Sequence, residues 1–191
     1  MSSFLISKLE KNFTKENLNF VLNITNEKIL NDISALIFSK KDKDAVLFLI
    51  QNDVILKSMS LNLFKFIVDN NYWDMFLNLD YNKFDLHVED DYALRWSSSN
   101  GHIEIVKFLV EKGANIHADD DYALRWSSFC GHNDVVKFLI EKGANIHADD
   151  DDALKWSSGN GHIEVVKILI ENGANIDVGI GLSHEWIDEI E

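Results

Sequence analysis

Three histidines at 30-residue intervals are the first residues whose spacing suggests chemistry. His102, His132 and His162 each follow a glycine in the same local sequence. Histidine is a common zinc ligand, but a zinc site gathers several ligands around one ion. Here each histidine stands alone in its segment, without a second ligand beside it. We therefore interpret the three histidines as structural residues of a turn and predict no metal site.

Cys130 is the one cysteine of the chain, and His132 follows it by two residues. A Cys/His nucleophile needs a base held against the sulfur, which this spacing does not supply. The chain also has no glycine-rich phosphate loop and no H-E-x-x-H motif. The sequence therefore predicts a protein that is not an enzyme and carries no cofactor.

Two runs of aspartate, residues 119–121 and 149–152, concentrate negative charge. Three interpretations stay open: solvated turns that cap helices, an acidic surface that attracts a basic partner, and a calcium site. Adjacent carboxylates in one turn rarely converge on an ion as the ligands of a calcium loop do. The first two interpretations are therefore favoured over calcium.

A 30-residue internal repeat explains why these residues recur. Residues 90–119 match residues 120–149 at 24 of 30 positions and residues 150–179 at 20 positions. Each unit reads as two short helices with a glycine between them. Such short helices must be held in place by their neighbours, so the positions of all candidate residues depend on the stacking of the repeats.

The first helix of each unit begins near an aspartate. Asp91 suits the N-cap of this helix, and its charge suits the positive end of the helix dipole. The spacing of four predicts an ion pair between Asp91 and Arg95 on one helix face. The same pair is predicted in the next two units, as Asp121 with Arg125 and Asp151 with Lys155.

The second helix is predicted from Ile103 to about Lys112, with Gly113 in a left-handed C-terminal turn. Its polar positions, Glu104, Lys107 and Glu111, fall on one narrow stripe. The remaining faces are apolar and must be covered from both sides, as stacking of successive repeats would do. The sequence therefore predicts an all-α helical repeat solenoid.

Residues 101–116, Gly-His-Ile-Glu-Ile-Val-Lys-Phe-Leu-Val-Glu-Lys-Gly-Ala-Asn-Ile, resemble the second half of an ankyrin repeat. The first half departs from the family: Tyr-Ala-Leu-Arg-Trp-Ser, residues 92–97, stands where T-P-L-H-x-A is usual. The unit is also three residues shorter than the usual period of about 33. The loss falls between Ala118 and Tyr122, so we expect short or absent β-hairpin fingers. Short repeats without proline resemble the ankyrin arrays of large DNA viruses of protists.

The resemblance implies a protein–protein interaction scaffold that binds a partner through its concave face. The tryptophans at positions 96, 126, 156 and 186 occupy a slot that the family usually fills with leucine. The resemblance therefore favours a buried tryptophan stack over a ladder that stacks on nucleic-acid bases or a ligand.

The two residues before the central glycine are the least alike among the repeats. In the family this pair faces the concave surface and contacts partners, and Phe129 there is either a binding anchor or packed against a neighbouring helix. With the acidic turns, this gives the following predicted partner-binding residues: Asp90, Ser99, Asn100, Asp119, Asp120, Phe129, Cys130, Asp149, Asp150 and Asn160.

Weaker copies of the repeat are predicted upstream. Stepping back by 30 residues assigns two degenerate repeats to residues 30–89. Residues 1–29 are predicted to form a helical cap, with Thr14 and Thr25 as N-caps. Residues 180–191 are predicted to be a C-terminal capping helix, because Trp186 keeps the tryptophan register.

Charge and composition limit the partners. Residues 90–191 hold 20 acidic and 8 basic side chains, a net charge of −12, so a nucleic-acid ligand is not expected. The partner is expected to be a protein, with a basic one as an option, or the chain is an acidic decoy that mimics nucleic acid. With no secretion signal, no membrane segment and one cysteine, we expect the chain in the cytoplasm or nucleus, including that of a host cell. We also expect it to be a monomer.

Overall fold

The structure is a computed structural model that describes residues 7, 9, 14–19, 21–52, 54, 60–70, 72–77, 79–81 and 83–176. The chain divides into two compact units, Met1–Val88 and Glu89–Glu191. Every regular element of the described residues is helical. None of the described helices combines the length and the apolar composition that crossing a membrane requires.

The first unit contains five described α-helices and one 3₁₀ turn: α1 (Lys15–Asn19), the turn Val21–Asn23, α2 (Glu27–Ser39), α3 (Lys43–Gln51), α4 (Ser60–Asp69) and α5 (Trp73–Leu77). Thr14 caps α1, since its Oγ1 accepts a hydrogen bond from the amide of Asn17 at 3.2 Å. Thr25 was the wrong residue for the next cap. Asn26 caps α2 instead, with its Oδ1 3.1 Å from the amide nitrogen of Ile29.

Aromatic side chains fill much of the core of the first unit. Phe64 and Phe76 are fully buried, with ring centroids 5.7 Å apart. A second pair joins α2 to α4, where the ring centroids of Phe38 and Phe66 lie 5.5 Å apart. Burial of these rings supplies the apolar area that α5, only five residues long, cannot supply alone.

Three helix pairs follow, of which only the first residue, Val88, belongs to the first unit. They are α6 (Val88–Ser99) and α7 (Ile103–Glu111), α8 (Ala118–Phe129) and α9 (Asn133–Glu141), and α10 (Ala148–Gly159) and α11 (Ile163–Glu171). The predicted second helix is confirmed, and Gly113 after it has a φ of +93°. With α3 and α5, the second helices begin at residues 43, 73, 103, 133 and 163, a constant step of 30. The division of residues 30–89 into two degenerate repeats stays a prediction.

Small residues let the helices of the second unit pack closely. In α8, Ala123, Ser127 and Ser128 are almost fully buried beside Leu124. The second helices contribute branched apolar side chains that are also almost fully buried: Ile105, Val106 and Leu109, then Val135, Val136 and Leu139, then Val165, Val166 and Leu169. The same positions are therefore buried in each repeat, as stacking requires.

The connection from each second helix to the next repeat is a turn without β-structure. Residues 112–117 and 142–147 contain only turn and irregular backbone. The prediction of short or absent fingers is therefore confirmed for the described repeats. The predicted capping helix at residues 180–191, with Trp186, lies outside the described residues.

Candidate functional site

Each repeat of the second unit begins with an acidic turn, which we define as residues 89–91, 119–121 and 149–151. All of these residues have left-handed backbone angles, with φ between 48° and 62°. Three successive left-handed residues are rare, because each costs about 1–2 kcal/mol, although aspartate tolerates the conformation better than most residues. The turn stands where the family's longer hairpin finger would be, which accounts for the shorter repeat.

An arginine holds the acidic turn of its own repeat and reaches the next one. Arg125 donates from Nε to the carbonyl of Asp120 at 2.8 Å and from Nη2 to the carbonyl of Asp119 at 3.0 Å. Its Nη1 donates to Oδ2 of Asp149 at 3.0 Å, and the same atom lies 3.5 Å from Oδ2 of Asp152. Because the Arg125 side chain is only 10% exposed, its bonds to the two main-chain carbonyls are shielded from water, whereas the Asp149 carboxylate is 59% exposed. We call this arrangement the arginine clamp.

The first repeat repeats the clamp. Arg95 donates to the carbonyls of Glu89 and Asp90 at 2.8 and 2.9 Å, and to Oδ2 of Asp119 at 2.9 Å. Lys155, at the same position of the third repeat, makes no such bond with the described residues.

The predicted pairs of each basic residue with the aspartate four residues before it are therefore wrong for Arg125 and for Lys155. Arg125 is bound to the next repeat, and the carboxylate of Asp151 contacts Nδ1 of His147 at 2.7 Å. In the first repeat the side-chain partner of Arg95 that the structure shows is Asp119. The arginine reaches forward because the main-chain carbonyls of its own turn accept hydrogen bonds from its Nε and Nη2, which leaves Nη1 to bind the neighbouring repeat.

The third residue of the acidic turn is also structural in the second and third repeats. Oδ1 of Asp121 lies 3.0 Å from Nδ1 of His117 and accepts a hydrogen bond from the amide of Asn145 at 2.9 Å. Asp121 is buried, and it connects its own acidic turn to the turn formed by residues 142–147. Asp121 directly precedes the right-handed part of α8, as an N-cap does, but this oxygen bonds outside its own helix.

The second residue of each acidic turn faces water. Asp90, Asp120 and Asp150 are exposed, and their side chains make no hydrogen bond or ion pair with the described residues. Asp120 and Asp150 border one polar depression of about 410 Å³. Of the aspartates predicted to bind a partner, these three are free to do so, whereas Asp119 and Asp149 are exposed but already bound by the arginine clamps.

An aromatic cluster, which we define as Tyr122, Trp126, Phe129 and Trp156, covers one side of α8 and α10. Trp126 lies against Tyr122, Phe129 and Trp156, with ring centroids 5.4, 5.2 and 5.6 Å apart. Phe129 is 38% exposed and meets Trp156 edge-on at 6.0 Å and 85°. Of the two interpretations of Phe129, the structure combines both: the ring is exposed and also packed against its neighbours.

The tryptophans themselves are not buried between helices, so that prediction is wrong. Trp96 is 39% exposed, and Trp126 and Trp156 are only partly buried. The buried side of the first helix is already filled by Ala, Leu and Ser side chains, and an indole is too large to join them. The tryptophans therefore lie outside this core and pack against one another. Trp186 lies outside the described residues.

The residues just before the central glycine differ in what their side chains do. The side-chain amides of Asn100 and Asn160 donate to the carbonyls of Trp96 and Trp156 at 2.8 and 2.7 Å, closing the end of the first helix. Cys130 stands at the same position of the second repeat and is exposed. Neighbouring protein atoms shield the sulfur in part from water, and this desolvation raises the pKa of the Cys130 thiol. An activated nucleophile needs a lowered pKa instead.

The first residue of the pair before the central glycine is held through its backbone. Nε2 of His132 lies 3.0 Å from the carbonyl oxygen of Ser99, and Nε2 of His162 lies 2.8 Å from that of Phe129. The structural interpretation of these histidines is therefore supported. Since the contact uses the main-chain carbonyl, it places no demand on the side chain, which is Ser99, Phe129 or Gly159. The Oγ of Ser99 itself turns back to the carbonyl of Arg95 at 2.9 Å.

Each histidine ring also packs on the glycine of the preceding repeat. A Cβ added at Gly101 would lie 2.6 Å from Nδ1 of His132, and one at Gly131 would lie 2.5 Å from Nδ1 of His162. Within the part of the chain that is described, no three histidine, cysteine or acidic side chains are grouped so that they could hold a metal ion. His132 and His162 therefore each connect their own repeat to the preceding one.

Comparisons with known proteins agree with this architecture. A family model described as ankyrin repeats (three copies) matches residues 58–150 and 119–180. A protein of Acanthamoeba polyphaga mimivirus, L25, whose name describes it as an ankyrin repeat protein, is 48% identical over 31 residues. That segment is 16% of this chain and 10% of the viral protein. A segment of this chain, about the length of one repeat, is therefore similar to part of a mimivirus protein, and the similarity covers a small part of each chain.

Proposed function

This chain belongs to the ankyrin-repeat family, and we propose that it holds its protein partner on the surface formed by the aromatic cluster and the free aspartates of the acidic turns. Ankyrin repeats are protein–protein interaction modules, so the chain is an interaction scaffold. In this proposal it acts as a non-catalytic monomer in the cytoplasm or nucleus.

The exposure of Phe129 is the observation that carries the proposal. A large ring that is 38% exposed and held by two tryptophans resembles the rigid aromatic anchors that dominate binding energy at interfaces. The scaffold does not need this ring, because His162 bonds to the backbone carbonyl of Phe129 and not to its side chain. The equivalent residues, Ser99 and Gly159, show that the fold accepts small side chains there.

The free aspartates supply the second part of the surface. Asp90, Asp120 and Asp150 recur every 30 residues, and no basic side chain of the described residues forms an ion pair with them. Exposed charges of one sign mainly raise the association rate with a partner of the opposite sign. The proposed partner therefore carries a basic surface that approaches along the acidic turns before it reaches Phe129.

The second candidate function is a decoy that mimics nucleic acid. The net charge of −12 on residues 90–191 supports it, since a protein that binds phosphate backbones would be attracted to this half of the chain. A decoy would bind many basic nucleic-acid-binding proteins, with affinities that fall steeply as salt rises. A scaffold with an aromatic anchor would bind one partner and keep much of its affinity in salt.

A photo-cross-linking comparison tests where the partner sits. A photoreactive phenylalanine analogue replaces Phe129 in one protein and Lys137, whose side chain is 52% exposed on α9, in another. In an extract of the cells that make the protein, position 129 is expected to label one protein at both low and high salt. Labelling from position 137 alone would place the contact on the second helices and end the proposal. Labelling of many basic proteins, lost at high salt, would favour the decoy.

A kinetic comparison then tests the aspartates with the identified partner. Asp120→Asn combined with Asp150→Asn is expected to lower the association rate and flatten its salt dependence. Phe129→Ala is expected to raise the dissociation rate instead. Asp119 is left unchanged in this test, because its carboxylate binds Arg95 and its loss would disturb the fold. Unchanged rates in both variants would show that the contact lies elsewhere.

A further inference from the structure

The middle repeat alone carries a complete row of aromatic side chains along its first helix. Tyr122, Trp126 and Phe129 are four and three residues apart on α8, which places them on one helix face. In the first repeat the last position of this row is Ser99, and in the third it is Gly159. Phe129 therefore rises between two repeats whose equivalent side chains are small.

On the side of the third repeat, this arrangement leaves an open corner. The ring planes of Phe129 and Trp156 meet at 85°, with centroids 6.0 Å apart. Gly159 lies one helical turn beyond Trp156, and a Cβ built on it meets no atom within 4 Å. We define Phe129, Trp156 and Gly159 as the aromatic corner. Two ring surfaces at a right angle, next to unfilled space, form a seat for one flat side chain.

The chain itself shows which chemistry its aromatic rings accept. The Cζ of Arg95 lies 5.1 Å from the ring centroid of Tyr122, and the Cζ of Arg125 lies 5.7 Å from that of Trp156. A guanidinium is flat and weakly hydrated, so it stacks on rings at a lower cost than an ammonium does. Residues 90–176 also hold 15 acidic and 8 basic side chains, so the surroundings favour a cation over a neutral group.

We infer that the aromatic corner binds an arginine side chain of the partner. The inference rests on the proposed function, since it names the group that the surface around Phe129 recognises. The partner segment is basic and exposed, and one of its arginines stacks in the corner beside Gly159. The acidic turns attract the segment, and the corner selects arginine from the other basic side chains.

A set of matched peptides tests the selectivity directly. The probes are acetylated, amidated nonapeptides of glycine and serine with one central residue: arginine, lysine or citrulline, the neutral isostere of arginine. Binding is followed by NMR through the indole N–H signals, which single tryptophan substitutions assign. The arginine peptide is expected to shift the Trp156 signal saturably, the lysine peptide to bind at least about fivefold more weakly, and the citrulline peptide to give no saturable shift.

Two substitutions locate the seat. Gly159→Leu fills the open space at an exposed helix end and is expected to remove the arginine-dependent shift while the helical circular dichroism is kept. Ser99→Leu changes the equivalent position on the other side of Phe129 and is expected to leave the shift intact. Equal shifts with arginine and citrulline, no shift with any peptide, or an unchanged shift in Gly159→Leu would overturn the inference. If only the arginine preference is wrong, the photoreactive residue at position 129 still labels one protein. If that labelling is absent as well, the proposed function is also wrong.

Discussion

Replacing Arg125 with alanine tests whether the arginine clamp holds the acidic turn in its left-handed conformation. The substitution removes two hydrogen bonds to backbone carbonyls and one to Asp149, all from a side chain that is 10% exposed. A hydrogen bond from a charged group contributes about 1.5–3 kcal/mol. The bond to Asp149 adds little, because that carboxylate is 59% exposed and the pair is screened by water. The two carbonyl bonds alone give an expected loss of about 3–6 kcal/mol in the free energy of unfolding.

The repeats provide matched controls for this substitution. Lys155→Ala changes the same position of the third repeat, where the side chain forms no clamp with the described residues. It is expected to cost less than about 0.5 kcal/mol, as most surface substitutions do. Arg125→Lys keeps the charge but loses the forked geometry, so its cost is expected to fall between the two. Arg95→Ala removes the same set of bonds from a side chain that is 18% exposed and is expected to cost somewhat less than Arg125→Ala.

The assay combines urea unfolding with hydrogen exchange. Unfolding by urea, followed by circular dichroism, gives the loss of stability, and exchange in peptides covering residues 115–130 shows where the loss occurs. Exchange there is expected to accelerate in Arg125→Ala and to stay unchanged in Lys155→Ala. A cost for Arg125→Ala within about 0.5 kcal/mol of that for Lys155→Ala would refute the reasoning, since the clamp would then contribute no more than an ordinary surface side chain.

The remaining predictions concern the histidine joints, one titrating side chain and the aromatic cluster. Gly131→Ala and Gly143→Ala both place alanine at positive φ, but only Gly131→Ala pushes a Cβ into a histidine ring. In urea unfolding, Gly131→Ala is therefore expected to lower the free energy of unfolding by about 1–3 kcal/mol more than Gly143→Ala does. Equal losses would contradict this. Burial, together with the charge of nearby His132, lowers the pKa of His102 below 6.5. The unfolded state therefore binds more protons than the folded state, and the free energy of unfolding is expected to fall as the pH drops through that region. His102→Asn is expected to reduce the pH dependence of the urea unfolding midpoint measured from pH 7.5 to 5. Trp126→Ala is expected to cost about 1.5–3 kcal/mol, less than the 3–5 kcal/mol of a fully buried aromatic, and a denaturant melt above that range would show a buried ring.

Local patterns in the sequence predicted the features that depend on local physics. The 30-residue period gives the helix pairs, and Gly113 predicts the left-handed end of α7 because only glycine enters that region without strain. The missing residues between Ala118 and Tyr122 correctly predict the loss of the finger. Each of these conclusions needs only neighbouring residues in the chain.

Contacts between repeats were beyond those local patterns. The spacing of Asp121 and Arg125 fits a pair on one helix, but the arginine binds Asp149, 24 residues away. A signal for this was present in the repeats: the sequence has Gly179 where the next clamped aspartate would stand, and Lys155 where the arginine would stand. The burial of the tryptophans was wrongly predicted for a related reason. How little room the buried alanine and serine side chains leave between neighbouring helices is evident only once the repeats are stacked.

The two described joints between repeats of the second unit have the same direction and the same contacts. An arginine reaches forward to the next acidic turn, at 2.9 Å for Arg95 and 3.0 Å for Arg125, while a histidine reaches back to a main-chain carbonyl. A duplication or deletion of residues 119–148 by unequal crossing-over between gene copies therefore recreates both contacts at the new junction, because Asp119 and Asp149 occupy equivalent positions. The array can change length without any new interface having to evolve. Each added copy also brings one residue, equivalent to Phe129, whose side chain the contact between repeats does not use. A single amino-acid substitution there can therefore change what the surface binds.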